Sequence, residues 1–232
     1  MHARTQAFRD DYARRVAPPG YHGGRHALFV ALCGGGMFAW TASRLSVADL
    51  ARLWWLIPVT LVVANIVEYL AHRYLMHRDT RLLHAMYLRH TVRHHRYFTR
   101  DDIEVTHHRD LHAVLFPPLL LFFFALVALV VAAAVGLALG RAAGILFFAL
   151  SLAYYLAYEV LHLLAHWPQH GAVMRFAPLR RLLRHHRLHH APQVMNQGNY
   201  NIVFPLGDWL FGTCRRDDGA TTTAARTGEH II

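Results

Sequence analysis

The sequence predicts an all-α integral membrane protein, a bundle of about four transmembrane helices with a helical cap on its cytoplasmic side. The 232 residues are 55% hydrophobic and 16% charged, whereas a soluble domain is typically about 45–50% apolar and about 25% charged. Long stretches of the chain carry no charge, and the arginines are concentrated between these stretches. This composition excludes a disordered chain, and the presence of only two cysteines excludes a disulfide scaffold.

The clearest spans form a predicted hairpin in the middle of the chain. No Asp, Glu, Lys or Arg occurs in residues 111–140. The most apolar part of this run, residues 119–139, has the length of about 20 apolar residues that a membrane helix needs. A second apolar run, residues 142–158, begins directly after Arg141, so a tight turn is expected to connect the two helices.

Two further apolar runs precede this hairpin. Residues 53–70 are interrupted only by Pro58, Asn65 and Glu68. Residues 27–43 contain three consecutive glycines, which lower the helix propensity of the run. We therefore predict four spans, of which the first is the weakest.

The predicted spans divide the chain into three parts. Residues 1–26 are polar and show no secretory signal, so they are expected to form a cytoplasmic N-terminal segment. Residues 27–213 are expected to form the membrane domain together with its cap, and residues 214–232 a flexible C-terminal tail.

The arginines predict how the bundle is oriented. All 24 basic residues are arginine, and the net charge is +10. Residues 1–26, 72–112 and 166–232 contain 5, 8 and 8 arginines, whereas the loop between the first two spans contains 2 and the hairpin turn 1. By the positive-inside rule, the arginine-rich segments lie in the cytoplasm. The same distribution argues against a nucleic-acid partner, and the lysine-free composition favours a bacterial inner membrane.

Ten of the twenty histidines form four spaced groups in the predicted cytoplasmic part of the chain and at the inner ends of the second and fourth spans. Imidazole nitrogen suits iron, copper and zinc. Ten such ligands are too many for one ion, so the pattern predicts a dimetal site with about five nitrogens for each ion. The predicted ligands are His72, His77, His90, His94, His95, His162, His166, His186, His189 and His190.

The spacing of these histidines indicates which of them can converge. Residues three or four apart share one face of a helix. The pairs His90/His94 and His162/His166 can therefore each meet at one ion, and the trio that begins at His186 occupies one face. His72 and His77 are five residues apart, about 140° around an ideal helix. These two can converge only if the helix is distorted or ends there.

Three further polar residues are candidates for contacts with the predicted ligands. Glu68 and Glu159 each lie about one helical turn before a histidine, and a carboxylate within a span is costly unless it is paired. The expected partner is the second ring N–H of a metal-bound histidine, and the alternative is a nearby arginine. Asn199 is expected either to bond a ligand histidine or to form a turn.

The histidine spacing and two longer motifs together resemble the fatty acid hydroxylase/sterol desaturase superfamily. The histidines occur in the order HX4H, HX3HH, HX3H and HX2HH, with the apolar hairpin between the second and third groups. The resemblance covers residues 68–213 and is closest in pattern to fatty acid 2-hydroxylases, although Gly207 stands where many relatives have Trp. The longer motifs are E-Y-L-A-H-R-Y-L-M-H and N-Y-N-I-V-F-P-L-G-D-W-L-F-G-T.

This resemblance implies a membrane oxidoreductase with a di-iron centre. Such a centre uses O2 to hydroxylate a C–H bond of a fatty acyl, sterol-like or other membrane lipid, and desaturation by the same centre is the alternative outcome. The resemblance also implies electrons from a separate carrier, either cytochrome b5-like or ferredoxin-like. Zinc could occupy the same histidines after purification. The sequence does not indicate an oligomeric state.

Two functions of other classes remain open at this point. A membrane metal transporter or metal-binding protein would also use a histidine cluster, but a transporter needs polar residues along its spans, and residues 119–139 contain none. A membrane cytochrome with two histidine ligands would place these ligands deeper in the spans and would not need adjacent histidine pairs.

Overall fold

The computed structural model describes residues 1–168 and 172–216. Within these ranges the chain forms helices and no β-strand, as the sequence predicts. Most of the predicted tail, residues 217–232, lies outside the described residues. The α-helices in chain order are α1 (Ala3–Arg15), α2 (Gly23–Ala42), α3 (Val47–Arg52), α4 (Leu56–Leu70), α5 (His84–Tyr87), α6 (His95–Tyr97), α7 (Leu111–Val114), α8 (Pro118–Leu139), α9 (Arg141–His166), α10 (Ala177–His189) and α11 (Leu206–Leu210).

Three helical segments are long and apolar enough to cross a membrane: Leu56–Met76, His108–Leu139 and Arg141–His166. They confirm the second, third and fourth predicted spans. Large apolar side chains cover much of their outer surface; Leu119 and Leu126, for example, are 78% and 60% exposed. An apolar surface of this extent is stable when it faces lipid.

The first predicted span forms helix α2 but is not among these three segments. Its 20 residues extend about 30 Å, which equals the thickness of the apolar part of a bilayer. The glycines of α2, together with its Arg25 and His26, make this helix less apolar than the other three. One of the glycines has a packing reason, because a Cβ on Gly34 would lie 2.8 Å from Leu156 Cδ2. The prediction of four spans is thus not confirmed.

Helix α9 lies at the centre of the bundle and packs against α2, α4 and α8. The predicted tight turn between α8 and α9 is made by Gly140, whose φ of +95° is accessible to glycine. Just beyond this turn the two helices approach closely, because a Cβ on Gly144 would lie 2.5 Å from the carbonyl oxygen of Ala132. Close packing of small residues is typical of helices that associate in a membrane.

We define the cap as residues 77–107 and 172–216. It covers the ends of the segments Leu56–Met76 and Arg141–His166 that carry histidines. Glu104 and Arg187 connect its two segments through an ion pair of 3.9 Å. Helix α1 packs beside the first segment on a small apolar core that includes Tyr12, Tyr97 and Phe98. The N-terminal segment is therefore part of the folded unit that surrounds the histidines.

Candidate metal centre

The ten predicted histidines are all buried, and nine of them form two groups. Within each group, one ligand atom per residue lies within 4.8 Å of all the others. The tenth, His162, adjoins the second group, with its Nε2 atom 3.3 Å from that of His94. The first group is His72, His77, His90, His95 and His189, and the second is His94, His166, His186 and His190.

Two π-helices explain how histidines five residues apart reach the same group. Residues Ala71–Met76 and Leu88–His94 are both π-helical, and the i→i+5 hydrogen bonds of a π-helix return the chain to the same side after five residues. The rings of His72 and His77 are consequently 5.1 Å apart. The rings of His90 and His95 are 4.9 Å apart. The helix distortion that the spacing of His72 and His77 requires is thus present.

The structure corrects the pairing expected for His90 and His94. Spacing on an α-helix would bring these two together, but the π-helix assigns His90 to the first group and His94 to the second. The trio on α10 is also divided, since His186 belongs to the second group and His189 to the first. Helix α10 therefore contributes to both groups.

Within each group the Nε2 atoms face one another at short distances. The distance is 2.8 Å between His72 and His90, and 3.2 Å between His166 and His186. Nitrogen ligands bind a transition metal at about 2.0–2.1 Å, so neighbouring ligands of one ion are roughly 3 Å apart and opposite ones roughly 4.2 Å apart. The spacing within the two groups therefore fits a metal ion in each.

Burial keeps these imidazoles in the neutral form. Loss of hydration lowers the pKa of His77 and of His94 to about 4. The same cause, together with repulsion from neighbouring histidines, lowers the pKa of His90 and His186 well below the usual value. A histidine binds a metal through its unprotonated nitrogen, so the buried groups are ready to bind an ion without first losing protons.

The first group is oriented by the segment that follows α10. The Nδ1–H of His189 donates to the carbonyl oxygen of Gly198 at 2.8 Å, and that of His72 donates to the carbonyl oxygen of Tyr200. His77 Nδ1 contacts the Oδ1 atom of Asn196 at 3.1 Å. A hydrogen bond at Nδ1 fixes the tautomer and directs Nε2 to the centre of the group.

The second group is oriented by different segments of the chain. The ring Nδ1–H groups of three of its histidines donate to backbone carbonyls of the loop after α6 and of α7. The pairs are His94 with Ala113 at 2.8 Å, His166 with Ile103 at 3.1 Å and His190 with Phe98 at 2.6 Å. The two groups thus depend on separate parts of the fold.

An apolar cavity of about 200 Å³ reaches both groups from the side of the bundle. Phe116, Pro117 and Leu120, at the start of the second membrane segment, form one of its walls. Its lining also includes His90 of the first group and His94 of the second. The cavity therefore connects the apolar start of α8 with one histidine of each group.

A comparison with known protein families identifies the class of this protein. The family model described as fatty acid hydroxylase matches residues 57–213. The chain belongs to the fatty acid hydroxylase family. Membership implies an oxidoreductase that acts on lipids by hydroxylation or desaturation, and metal-dependent catalysis agrees with the two histidine groups. No curated protein and no solved structure matches the chain.

The family match supports the superfamily that the sequence resembles, but it does not confirm a particular closeness to fatty acid 2-hydroxylases. All ten predicted histidines, both carboxylates and Asn199 fall within the matched residues. The matched region begins after α2, so the N-terminal helix α1 of this family member lies outside it.

Glu68 is buried but contacts neither a histidine nor an arginine among the described residues, which corrects both expectations for it. Its carboxylate accepts hydrogen bonds from the hydroxyl of Tyr154 and from the backbone N–H groups of Ile202 and Val203. Without this buried acceptor, donors of two other chain segments would lose their partners, which is costly in a buried place. Glu68 therefore connects α4, α9 and the loop before α11.

Glu159 also bonds no histidine among the described residues, whereas its electrostatic attraction to Arg89 agrees with the alternative of a nearby arginine. Its Oε1 atom accepts hydrogen bonds from the hydroxyl of Tyr155 at 2.9 Å and from the backbone N–H of Phe116 at 3.3 Å. Its other oxygen, Oε2, is buried without a partner among the described residues. Glu159 thus fixes the start of the second membrane segment, beside the wall of the cavity.

Asn199 forms a turn and bonds no ligand histidine. Its φ is +60°, a left-handed conformation that Asn tolerates. Its side chain donates to the carbonyl of His185 at 3.1 Å and accepts from the N–H of Arg215 at 2.6 Å. Among the described residues, the asparagine whose side chain meets the ring of a candidate ligand is Asn196, beside His77, and the sequence did not single it out. The only sign of Asn196 in the sequence is its position between the last histidine group and Gly198.

Proposed function

We propose that this protein uses O2 and two iron ions to oxidise an unactivated C–H bond of a membrane lipid. The outcome we favour is hydroxylation, and desaturation by the same centre is the alternative. The observation that carries the proposal is the apolar cavity, whose lining joins residues at the start of α8 to His90, His94 and His162. A substrate chain in this cavity would lie beside both histidine groups.

All ten histidines serve as ligands in this proposal, five for each ion, with His162 completing the second group. Bound iron supplies the activation of O2 and accepts the electrons that drive the oxidation. The chain contributes neutral nitrogen ligands, which leave the positive charge of the ions uncompensated. Its hydrogen bonds at Nδ1 hold the rings in place. Zinc would fit the same ligands but cannot change its oxidation state, so the reaction type favours iron.

The cavity would position the substrate and exclude water. Its lining is almost entirely apolar, and its volume of about 200 Å³ is below the roughly 300–1,000 Å³ of pockets that enclose a whole ligand. We therefore infer that only the part of the lipid around the reacting carbon enters, while the rest of the lipid stays in the bilayer. Met76, Met86 and Leu120 would then determine which carbon lies near the ions.

Electrons would come from a separate carrier, which we propose to be acidic and either cytochrome b5-like or ferredoxin-like. A groove of about 1180 Å³ on the cap supports this, because arginines line it and a positive groove attracts an acidic protein. His185 also lies in the groove and directly precedes His186 of the second group. The arginines are Arg100, Arg181, Arg184, Arg187, Arg215 and Arg216.

The proposed location is a bacterial inner membrane, with the cap in the cytoplasm. The arginine distribution supports this orientation, and we propose that α2 is the fourth span. Leu28, Leu32 and Trp40 of α2 are 58%, 65% and 63% exposed, which resembles the outer surface of the three clear spans. In this topology, a cytoplasmic carrier reaches the cap while the lipid enters from the bilayer.

A comparison of lipid extracts from cells that produce the wild type or the His189→Ala variant tests this function, together with metal analysis of both purified proteins. His84→Ala is the control, because His84 is exposed and contacts Asp79 instead of the histidine groups. We expect a hydroxylated or desaturated lipid with the wild type and with the control, and none with His189→Ala. A wild-type protein that binds iron but leaves the lipids unchanged would contradict lipid oxidation, and one that binds no metal would contradict the centre itself.

A further inference from the structure

Arg9 of helix α1 is a buried cation outside the histidine groups. Its side chain is 4% exposed. Within the described residues it donates three hydrogen bonds to backbone carbonyls of residues 97–104: Nε to Tyr97 at 2.9 Å, Nη1 to Glu104 at 3.2 Å and Nη2 to Asp102 at 2.7 Å. The guanidinium also lies over the rings of Tyr97 and Phe98, 4.9 and 5.0 Å from their centres.

The loop that Arg9 holds, residues 97–104, supplies two of the three carbonyls that orient the second histidine group. Phe98 accepts the ring N–H of His190, and Ile103 accepts that of His166. The backbone N–H of Val105, just after the loop, donates to the carbonyl of His166 at 2.7 Å. A shift of this loop would therefore displace His166 and His190 together.

The loop itself contains few internal restraints. Tyr97 is the last residue of α6, and residues 98–104 form neither a helix nor a strand, so regular backbone hydrogen bonds do not hold this stretch. A buried carbonyl without a donor costs about 1–3 kcal/mol, and a single guanidinium satisfies three of them here because its donors form a fixed planar fork. Arg9 thus joins both ends of the loop to α1, whereas His2 at the start of α1 bonds only the side chain of Asp102 within it.

The first histidine group has no comparable dependence on Arg9. The Nδ1 atoms of His77, His189 and His72 meet Asn196, Gly198 and Tyr200, which follow α10, and Thr91 adds a contact of 3.3 Å to His77. None of these residues contacts Arg9 in the described part of the chain. A change at Arg9 should therefore affect the second group and leave the first in place.

We propose that Arg9 is a positioning residue for the metal ion of the second group. This inference rests on the proposed two-ion centre. It makes α1, which lies outside residues 57–213 matched by the family, a part of the metal-binding machinery. Arg9 acts through the loop, by holding the carbonyls of Phe98 and Ile103 where His190 and His166 meet them.

The test is the number of metal ions per chain in the purified Arg9→Met variant. Methionine fills a similar volume but donates no hydrogen bond. We expect the metal content to fall from about two ions per chain, one in each group, to about one ion per chain. Arg4→Met is the matched control, because Arg4 is an exposed arginine of the same helix, and it should keep both ions.

Two backgrounds show which ion is lost. In His189→Ala, which is expected to retain only the second ion, Arg9→Met should remove the remaining metal. In His190→Ala, which is expected to retain only the first ion, Arg9→Met should change nothing further. If Arg9→Met loses both ions together in the otherwise wild-type chain, Arg9 supports the whole fold and the proposal is wrong.

A second variant keeps the proposal testable if Arg9→Met does not fold. Arg9→Lys retains the charge, but one ammonium cannot reach three carbonyls in the geometry of a guanidinium. We expect it to bind the first ion normally and the second at least about tenfold more weakly in a titration with a competing chelator. Equal affinities of wild type and Arg9→Lys for both ions would overturn the proposal. A wild type without metal would instead overturn the proposed function.

Discussion

His94 and His95 are adjacent in the chain, yet they belong to different histidine groups, with their ring centres 5.6 Å apart. The π-helix that ends at His94 causes this division, because it turns His95 toward His90 and leaves His94 beside His162. One short helical segment therefore supplies ligands to both proposed ions and fixes the distance between them.

The first prediction follows from this division. His95→Ala should lower the affinity for one ion and His94→Ala the affinity for the other, each by about 10- to 100-fold. Metal titration of the purified single variants and of the double variant measures this. The assignment of the two histidines to different groups predicts that each single variant loses one ion and that the double variant loses both. Loss of the same ion in both single variants would contradict this assignment.

The second prediction concerns the cavity. Leu120→Trp should fill the space beside His94 and lower product formation about tenfold or more, because a displaced substrate carbon no longer lies in reach of the oxidant. The metal content should stay the same. The neighbouring Leu119 is 78% exposed and does not line the cavity, so Leu119→Trp should retain full activity. Lipid analysis of both variants would show the contrast, and equal activities would argue for another route to the centre.

The third prediction concerns Glu68. Four hydrogen-bond donors surround its carboxylate: the Tyr154 hydroxyl, the side-chain amide of Asn65 and two backbone N–H groups. In Glu68→Gln an amide NH2 replaces one acceptor, so a buried donor loses its partner. We expect the variant to be about 1–3 kcal/mol less stable and to melt at a lower temperature in detergent. Asp10→Asn, at an exposed site on α1, should melt like the wild type.

The fourth prediction explains the glycine before Asp208. A Cβ on Gly207 would lie 2.6 Å from Asn201 Oδ1 and 2.7 Å from Tyr69 Cβ. Gly207→Ala should therefore destabilise the protein by about 1–3 kcal/mol through overpacking. The control is Gly35→Ala in α2, where no atom lies within 4 Å of the added Cβ. That substitution should be neutral or slightly stabilising, since Ala favours the helix. Thermal unfolding in detergent separates the two cases.

The fifth prediction tests the groove on the cap. The double variant Arg181→Glu and Arg184→Glu should slow reduction of the protein by an acidic ferredoxin about tenfold at low salt, because surface charges mainly govern the association rate. The difference should shrink as salt screens the charges. Arg44→Glu, in the short loop between α2 and α3, lies outside the groove and serves as the control. Rapid-mixing kinetics would measure the reduction rates of the wild type, the double variant and the control. An unchanged rate in the double variant would show that the carrier docks elsewhere.

The sequence alone determined the helical class, three membrane segments and the set of buried histidines. These features depend on local properties. An uncharged apolar run is stable only as a helix in lipid, and a dense pattern of spaced histidines limits the chemistry they can perform. The spacing of His72 and His77 even required a helix distortion, which the structure contains as a π-helix.

The tertiary structure decided how the histidines divide and what holds them. His77 and Asn196 are 119 residues apart, and Arg9 and Glu104 are 95 apart, so no local pattern could have paired them. The hydrogen-bond partners of Glu68 and Glu159 are backbone N–H groups, tyrosines and the Asn65 amide, because packing determines which donors lie near a buried carboxylate. Apolar runs and residue spacing can be read directly from the sequence, whereas hydrogen bonds between distant segments form only when those segments pack together.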